Sequence, residues 1–494
     1  MRRLEAYLLL PLLAGCGQPS PAKDMRAGDM SMPPGNVDMA IGSEPDLATL
    51  PPAGTRIVDT KLLVQAVTED DHAVLADSEG AVVSVIPLKG GPLVNLSNDA
   101  TRVAVRGKLV FVFSAYDDPS RSADLAVWSA AKGLKDLGSG AFLQAGQSGS
   151  FYRVAATADS QYIFYTLGTT DADKTDLWIA KADGTAAKKV FSQVRVDEMC
   201  APRLFAAGNK FFVAPCPSGG DGGAVVRSGY AIDPATGMVT TLKSPGDVIS
   251  ADKNGAKAVI LNEAKDAFVI PSTGGVATPL DSKVEFGYLL PDGTAALIRG
   301  TDSTLRRAVP GQKATVLVDK EVGQLREPSP SYKHLLYAKK FNSNNFWSDL
   351  YLVPTDKASP PQALSATDDG AIFGDAFTAD SSRVLYFTKC TMEGIGIFNT
   401  KAVGGGAVAE HGKKVWLTWA TKGSTVLYND NYVAQARRFQ RADILLLDVA
   451  KQDPPRLLVK GADVDFYLNT AKDKMVYTWG VDPSKQGLYV APAQ

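Results

Sequence analysis

The sequence predicts an all-β protein, a β-propeller built from four-stranded blades. A short alternating phrase recurs down the chain, as in DLWIAKADG at 176–184 and DLYLVPTD at 349–356. The units that contain it repeat at roughly 37 to 52 residues, and a period near 40 to 50 with four strands per unit is typical of propeller blades. No amphipathic helical pattern of useful length appears after residue 56.

Residues 1–15 are predicted to be a lipoprotein signal peptide. MRRLEAYLLLPLLAGC has a charged start, a short apolar run and then small residues, the pattern of a secretory signal rather than of a spanning helix. The segment from Leu13 to Cys16 resembles the lipobox of bacterial lipoproteins. This resemblance implies cleavage before Cys16 and its acylation, which holds a protein stably on a membrane when two or three chains are attached. The alternative is an ordinary secretory signal with an incidental cysteine.

The residue after Cys16 predicts to which membrane the lipid is attached. Gly17 stands where lipoproteins retained at the inner membrane carry Asp, so the resemblance implies the outer membrane, facing the periplasm or the cell surface. No later segment approaches 18 consecutive apolar residues, and we expect the lipid to be the only membrane attachment.

The chain has 52 basic and 53 acidic residues. This balance, without any Lys/Arg run, argues against nucleic acid as a partner.

Residues 16–56 are predicted to be the lipidated cysteine followed by a flexible linker. The stretch after Cys16 lacks aromatic residues and is rich in Pro, Gly, Asp and Met. Such a composition cannot bury enough apolar surface to offset the entropy of ordering. A coil of this length reaches roughly 35 Å root-mean-square, enough to hold a folded body clear of the lipid. The Met residues also fit a Cu(I)-binding strip, but their irregular spacing within an Asp-Met repeat favours the linker, and we expect no cofactor.

Two of the remaining cysteines predict a disulfide. Cys200 and Cys216 bracket CAPRLFAAGNKFFVAPC, which has the pattern of strand, turn and strand. The two ends of a hairpin can approach within disulfide range, and an oxidising periplasm permits the bond. Closing a loop of this size contributes roughly 3 kcal/mol in the chain-entropy model. Cys390 is left over, and we expect it to be a buried thiol that packs as a small apolar side chain.

Each repeat unit follows a fixed grammar. A polar turn with Asp, Ser or Gly leads into a strand dense in Val, Leu, Ile and Tyr, as in ATADSQYIFYT at 156–166 and FTADSSRVLYFTK at 377–389. The phrase of the DLYV type comes next, and a third piece such as VTTLKS at 239–244 follows it. One four-stranded blade cannot bury both of its apolar faces alone, whereas blades stacked in a ring bury each face on a neighbour.

Together these phrases resemble the TolB-type, WD-like β-propeller repeats of bacterial periplasmic proteins and of the propeller domains of some peptidases. The resemblance covers 57–494 in degenerate form and is best at 149–193, 324–365 and 371–409. It implies the fold rather than the function, because such propellers host many roles. TolB proteins carry a small N-terminal α/β domain where this chain has its linker, so their partners are not carried over.

The blade count stays open between three arrangements. Ten candidate units have strand cores near residues 74, 112, 164, 213, 260, 297, 336, 386, 428 and 477. Single propellers typically have four to eight blades, so either the short units near 260 and 297 merge, or two propellers lie in tandem, or the ring is unusually large. We favour one continuous body of seven to ten blades. The last unit lacks an outer strand, and we expect a strand from 57–66, IVDTKLLVQA, to complete it and close the ring.

The sequence predicts no catalytic residue and no metal site. The chain has three histidines, His72, His334 and His411, and none of them has a partner at catalytic or zinc-ligand spacing. A G-x-S-x-G elbow is missing from the sequence. The acidic segments TDADKTD at 170–176 and SADKNG at 250–255 lack the distal Glu of a calcium loop and fit solvated turns better.

Four expanded loops mark the most plausible binding face. They lie between the second and third strands of their units, at 115–124, 217–229, 340–349 and 429–443. Aromatic and Arg side chains on loops of a rigid scaffold commonly anchor recognition. The candidate binding residues are Phe346, Trp347, Tyr432, Arg437, Arg438 and Phe439. The alternative is that these side chains fold back onto the rim of the propeller.

Two functions remain open. The first is a monomeric, lipid-anchored propeller of the bacterial cell envelope that binds a protein or polymer without catalysis. The second is an envelope enzyme that acts on glycan or peptide, with the propeller funnel as its catalytic scaffold. An enzyme is expected to bring together carboxylates with shifted pKa values in the funnel, whereas a binding module is expected to carry an aromatic and Arg patch on one rim.

Overall fold

The computed structural model describes residues 54–493, with gaps at 118–121, 143–153, 170–173, 196–202, 217–226, 244, 340–347, 366–369, 373, 392–394, 435–439, 452, 464–465 and 480–482. The described residues form 39 β-strands and one short 3₁₀ turn, Pro483–Lys485, with no α-helix among them. The predicted all-β fold is therefore confirmed. The first strand, β1 (Thr55–Val58), precedes the first blade.

The strands group into ten antiparallel sheets, each of which is one blade. Blade 1 contains β2 (Leu63–Val67), β3 (His72–Ala76), β4 (Val83–Pro87) and β5 (Val94–Ser97). Blade 2 contains β6 (Ala100–Arg106), β7 (Leu109–Asp117), β8 (Ser122–Ser129) and β9 (Gly133–Phe142). Blade 3 contains β10 (Val154–Ala156), β11 (Tyr162–Gly168), β12 (Lys174–Lys181) and β13 (Lys188–Arg195). Blade 4 contains β14 (Arg203–Ala207), β15 (Lys210–Ala214), β16 (Gly229–Asp233) and β17 (Met238–Lys243). Blade 5 contains β18 (Asp247–Ala251), β19 (Lys257–Leu261), β20 (Ala267–Pro271) and β21 (Thr278–Asp281).

The second half of the chain repeats the same plan. Blade 6 contains β22 (Val284–Leu289), β23 (Ala296–Gly300), β24 (Leu305–Ala308) and β25 (Thr315–Val318). Blade 7 contains β26 (Gln324–Pro328), β27 (His334–Lys339), β28 (Asp349–Pro354) and β29 (Gln362–Ala363). Blade 8 contains β30 (Arg383–Thr388), β31 (Gly396–Ala402) and β32 (Ala409–Val415). Blade 9 contains β33 (Thr418–Ala420), β34 (Thr425–Ala434), β35 (Gln440–Asp448) and β36 (Arg456–Asp463). Blade 10 contains β37 (Phe466–Leu468), β38 (Lys474–Trp479) and β39 (Gly487–Pro492).

All ten candidate units of the sequence are separate blades of one propeller ring. The cores predicted near residues 260 and 297 are β19 and β23, the second strands of blades 5 and 6. The count is therefore ten, at the upper end of the expected seven to ten. Neither merged units nor two tandem propellers describe the structure.

Burial explains why the second strand of each blade has the clearest pattern in the sequence. In β19, Ala258 to Leu261 are all buried, because both faces of a central strand pack against neighbouring blades. Such strands are apolar on both faces instead of alternating. The fourth strands lie at the outer rim, and several of their aliphatic side chains are exposed, namely Val94, Leu134, Met238, Val239, Val316 and Leu457.

The N-terminal strand closes the ring. β1 pairs antiparallel with β39, with Thr55 opposite Val490 and Val58 opposite Leu488, and so provides the fourth strand of blade 10. The expectation that an N-terminal strand completes the last unit is confirmed, although the residues divide differently. Val58 ends the closing strand, whereas Leu63 begins blade 1.

Blade 8 departs from the common plan. Its sheet has three strands, and isolated bridges from Ala371 to Phe387 and from Phe377 to Val384 hold the chain at the position of the first strand. The break centres on Gly374, whose φ is +94° and where an added Cβ would lie 1.9 Å from the carbonyl oxygen of Thr418 in blade 9. Only glycine can bring the chain this close to the next blade.

Two faces of the ring follow from the strand order. One side of the ring, which we call the turn face, carries two classes of loops. These are the loops between the first and second strands of a blade, such as 68–71 and 469–473, and the loops between the third and fourth strands. The opposite side, which we call the hairpin face, carries the loops between the second and third strands of a blade, such as 77–82 and 429–443, and the connections between blades. All sheets are antiparallel, so each of these loop classes emerges on one side only.

Candidate functional site

The four expanded loops all belong to the hairpin face. The loop at 115–124 joins β7 to β8 in blade 2, and the loop at 217–229 joins β15 to β16 in blade 4. The loop at 340–349 joins β27 to β28 in blade 7, and the loop at 429–443 joins β34 to β35 in blade 9. Because the ten blades form a single ring, the ends of all four loops lie on the same side of the molecule.

The predicted binding residues themselves fall outside what the structure describes. Phe346, Trp347, Arg437, Arg438 and Phe439 lie outside the described residues. Tyr432 belongs to β34, and of this residue only the backbone is described. The strands fix which face and which blades carry these residues.

Blades 2 and 9 rise above their neighbours on the hairpin face. The second strand of blade 9, β34, has ten residues, and that of blade 2, β7, has nine, whereas that of blade 1, β3, has five. At about 3.3 Å per residue, β34 is about 17 Å longer than β3. Hydrogen bonds join the turns of neighbouring blades at the turn-face ends of the second strands. The extra length of β34 and β7 therefore projects from the hairpin face.

Side-chain hydrogen bonds hold the base of the blade 9 hairpin. The register of β34 shifts between Asp430 and Val433, and at this bulge Asn431 Nδ2 donates to Asp443 Oδ2 at 2.9 Å. Asp443 Oδ1 in turn accepts the backbone N–H of Gly461 in β36 at 3.0 Å. These bonds link three adjacent strands, so the loop at 435–439 is carried on a braced base.

The turn face is built from one repeated turn between first and second strands. A side-chain oxygen of its first residue accepts a hydrogen bond from the backbone N–H five residues later. The first residues of the turns with this bond are Thr157, Asp252, Ser329, Thr378 and Asn469. The fourth residue has a positive φ, in Ser160, Gly255, Tyr332, Ser381 and Lys472. The polar turn recognised in the sequence is therefore a defined structure that begins the second strand in these five blades.

Neighbouring turns are hydrogen-bonded to each other around the ring. Among the described residues, such bonds cross seven of the ten blade junctions through the turns, as Glu69 N to Gly107 O at 3.0 Å, Ala158 N to Gly208 O at 2.9 Å and Asp380 N to Gly423 O at 3.2 Å illustrate. The other four are Lys108 N to Ser160 Oγ, Lys253 N to Pro291 O, Ser331 N to Ser381 Oγ, and Asn469 Nδ2 to Asp71 Oδ1. Polar contacts between turns thus join most of the neighbouring blades on the turn face.

Three of these turns enclose a groove that the sequence did not predict. The groove has a volume of about 640 Å³ and lies between blades 8, 9 and 10. Its charged residues are Asp380, Lys422, Lys472 and Asp473. Lys472 Nζ donates to the carbonyl oxygen of Ala420 at 2.6 Å and lies 3.7 Å from Asp375 Oδ2. Residues from three turns meet here because blades 8, 9 and 10 stack side by side, and the repeated turn was the one sequence signal that could have located the groove.

The carboxylates whose pKa is clearly shifted lie in exposed or partly exposed turns or, for Asp448, at the end of β35. Hydrogen bonds from Thr294 lower the pKa of Asp292, and a hydrogen bond from the Thr304 side chain lowers the pKa of Asp302. Ser424 does the same for Asp448. These groups serve as acceptors that stabilise loops. Within the described ranges, no group of three or more His, Cys, Asp or Glu side chains has the arrangement of a metal site.

The histidines occupy separate blades. His72 and His334 begin the second strands of blades 1 and 7, and His411 lies in β32 of blade 8. His411 Nε2 is 2.8 Å from Thr400 Oγ1, and burial, with a smaller effect of Arg383, lowers the pKa of His411. Burial also lowers the pKa of His334. The structure does not bring these side chains together.

The cysteines differ in how far the structure describes them. Cys216 is disulfide-bonded, while Cys200, its predicted partner, and Cys16 lie outside the described residues. Cys390 is 7% exposed and packs in an apolar cluster with Phe387 and Phe398, as expected for a buried thiol. In the described part of the chain, no helix is long and apolar enough to cross a membrane.

Comparison with known proteins finds solved structures of low similarity and shows no family. No family model matches the chain, and no curated protein matches it. A eukaryotic initiation factor matches with a TM-score of 0.45 and 13% identity, over 73% of this chain and 90% of that chain. The β-propeller domain of the trilobed protease from Pyrococcus furiosus matches with a TM-score of 0.34 and 11% identity, over 74% and 99%. Dipeptidyl peptidase 4 from Porphyromonas gingivalis matches with a TM-score of 0.43 and 10% identity, over 81% and 66%.

Proposed function

We propose that this protein is a lipid-anchored adaptor of the bacterial cell envelope that binds a protein or polymer through the hairpin face. The observation that carries the proposal is the single ten-blade ring, which places the ends of the four expanded loops at 115–124, 217–229, 340–349 and 429–443 on one face. A rigid scaffold that gathers long loops on one side is the usual architecture of a recognition surface. The aromatic and Arg residues of the loops in blades 7 and 9 are the proposed anchors.

The attachment to the membrane follows from the N-terminal sequence. In this proposal Cys16 is acylated after removal of residues 1–15, and the linker that follows carries the propeller as a monomer on the outer membrane. The lipobox-like segment before Cys16 and the Gly at position 17 support this location. The TolB-type resemblance of 57–494 is part of the same proposal, and it concerns the repeat rather than a shared partner.

The runner-up function, an enzyme that acts on glycan or peptide, makes a different demand on the carboxylates. A glycan- or peptide-acting enzyme of the runner-up type needs a carboxyl group whose pKa is raised so that it can act as an acid. The clearly shifted carboxylates, Asp183, Asp292, Asp302, Asp380 and Asp448, all have lowered pKa values. They sit in turns and loops as hydrogen-bond acceptors.

The test is capture of the partner in intact cells. Cells that produce the tagged protein are treated with a chemical crosslinker, the protein is purified with its lipid, and the attached molecules are identified. We expect one dominant envelope partner that disappears when residues 341–347 and 435–439, which lie between the paired strands, are replaced by Gly/Ser linkers of equal length. The matched control replaces the turn-face loop at 403–407 in the same way and is expected to retain the partner. No partner, or equal loss in the control, would contradict the proposal, and glycan and peptide substrates would then be screened.

A further inference from the structure

The direction of the closing strand fixes where the linker leaves the ring. β39 begins at Gly487, opposite Trp479 at the hairpin-face end of β38, and ends at Pro492, opposite Lys474 at the turn-face end. Since β1 is antiparallel to β39, Val58 lies toward the hairpin face and Thr55 toward the turn face. The chain therefore enters β1 at its turn-face end, where Gly54 precedes Thr55.

Gly54 supports this path. Its φ is +90°, and an added Cβ would lie 2.2 Å from the carbonyl oxygen of Val490 and 2.8 Å from Ala491. The backbone at Gly54 thus still runs tightly against β39, beyond the last paired residue of β1, in the direction of the turn face. The other end of the chain lies on this face as well, because the N–H of Ala493 donates to the carbonyl oxygen of Asp473 at 2.9 Å.

The opposite side carries the raised hairpins. β34 and β35 of blade 9 remain paired as far as Ala434 and Gln440, and β7 and β8 of blade 2 remain paired as far as Asp117 and Ser122. Blades 10 and 1, whose second strands have six and five residues, lie between these two hairpins. The second strands of blades 10 and 1 are therefore shorter than those of blades 9 and 2 on either side, and we call the part of the hairpin face above these shorter strands the saddle.

We infer that the turn face lies toward the anchoring lipid surface and that the hairpin face, with its saddle, points away from it. This inference rests on the proposed lipid anchor at Cys16. The chain from Cys16 joins the ring at the turn-face rim of blade 10, where Gly54 and Thr55 lie, so this rim is the part of the propeller that is nearest to the anchor along the chain. A partner bound in the saddle then reaches the protein from the side opposite to the anchoring membrane.

The experiment measures the distance of each face from a bilayer. Single surface cysteines are introduced as Ser78→Cys and Ala264→Cys on the hairpin face, and as Ala131→Cys and Ala471→Cys on the turn face. All four positions are exposed. Each variant is labelled with a donor dye without reductant, since Cys390 is buried and Cys216 is disulfide-bonded. The lipidated proteins are placed in phosphatidylethanolamine/phosphatidylglycerol vesicles that contain a headgroup-labelled acceptor lipid.

We expect energy transfer from the two turn-face dyes to exceed that from the two hairpin-face dyes at least twofold. Equal transfer from both faces, or stronger transfer from the hairpin face, would overturn the inference. The same four variants are also measured with a His tag in place of residues 1–16, on nickel-chelating vesicles, so that the orientation is tested without acylation. A protein that fails to float with vesicles in its native form but shows the expected transfer when His-tagged would contradict the proposed lipid anchor and leave the orientation supported.

Discussion

Lys474 Nζ of blade 10 lies 3.0 Å from Asp71 Oδ2 of blade 1, across the junction where the two ends of the repeat array meet. Asn469 Nδ2 donates to the other oxygen of the same carboxylate at 3.3 Å. The hydrogen bond and the charge of Asp71 raise the pKa of Lys474. The junction is therefore joined on the turn face by an ion pair and at the outer rim by the pairing of β1 with β39. The two side chains are 42% and 38% exposed, so solvent screens the pair and its contribution is small, about 0.2–1 kcal/mol.

Lys474→Met tests this ion pair, because methionine keeps the apolar stem and removes the charge. We expect the free energy of unfolding to fall by about 0.2–1 kcal/mol, measured by urea denaturation at low salt, and the difference to shrink at 1 M salt. Lys451→Met is the control, since Lys451 pairs with Asp448 within one turn and crosses no junction. A larger loss in the control than in Lys474→Met would contradict the role of the pair at the junction.

The closing strand is expected to matter more than the linker. Deletion of residues 1–61 removes β1, and with it the partly buried Ile57 and Val58 that pack against the blade 1 and blade 10 core. We expect a loss of roughly 2–4 kcal/mol in the free energy of unfolding, the transfer free energy of two partly buried aliphatic side chains with their strand. Deletion of residues 1–53 keeps β1 and is expected to leave thermal unfolding unchanged. Equal stability of the two truncated proteins would show that β1 does not hold the ring closed.

The repeated turn can be tested at Thr378, which is fully buried. Its Oγ1 donates to Asp380 Oδ1 at 2.7 Å and accepts the N–H of Arg383 at 3.1 Å. Thr378→Val keeps the shape and removes both bonds, so we expect a loss of roughly 1–3 kcal/mol, measured by chemical denaturation. Thr241→Val, at an exposed position of β17, is expected to change stability by less than about 0.5 kcal/mol. Similar losses at the two positions would contradict a special role of the turn.

Stability is expected to fall on mild acidification because of His411 and His334. Their pKa values are lowered from 6.5 in the folded protein, mainly by burial. The unfolded chain therefore binds protons first as the pH falls below about 6.5, and folding free energy is lost down to the folded pKa. We expect His411→Gln to flatten the dependence of the unfolding free energy on pH between 7 and 5, and the double variant with His334→Gln to flatten it further. An unchanged slope would contradict this account.

The sequence predicted the second strands well and the first strands poorly, for a physical reason. Second strands are buried on both faces, so they appear as dense apolar runs such as KAVIL in β19. Several first strands are very short, with three residues in β10 and three in β37, too few to show a period. In blade 8 the first strand is broken around Gly374, and only its bridges to neighbouring strands define its place.

The candidate sites were predictable to different degrees. The face of the expanded loops follows from strand order, which the repeat grammar already contains. The height of the blade 9 hairpin could not be foreseen, because it depends on pairing that continues past the bulge between Asp430 and Val433. The groove near Lys422 and Lys472 could not be foreseen either, since it needs turns that are about 50 residues apart to meet across closed blade junctions.

The most direct test of binding through the hairpin face is site-specific photocrosslinking in living cells. A photoreactive amino acid is placed at one position at a time, with two exposed positions on each face. Asp117 in blade 2 and Lys413 beside the blade 9 hairpin represent the hairpin face, and Ala131 in blade 2 and Lys422 in blade 9 represent the turn face. Irradiation followed by mass spectrometry shows which positions touch another molecule. We predict that the same envelope partner is captured from Asp117 and Lys413 and is not captured from Ala131 or Lys422. Capture of that partner from the turn-face positions alone would contradict the account.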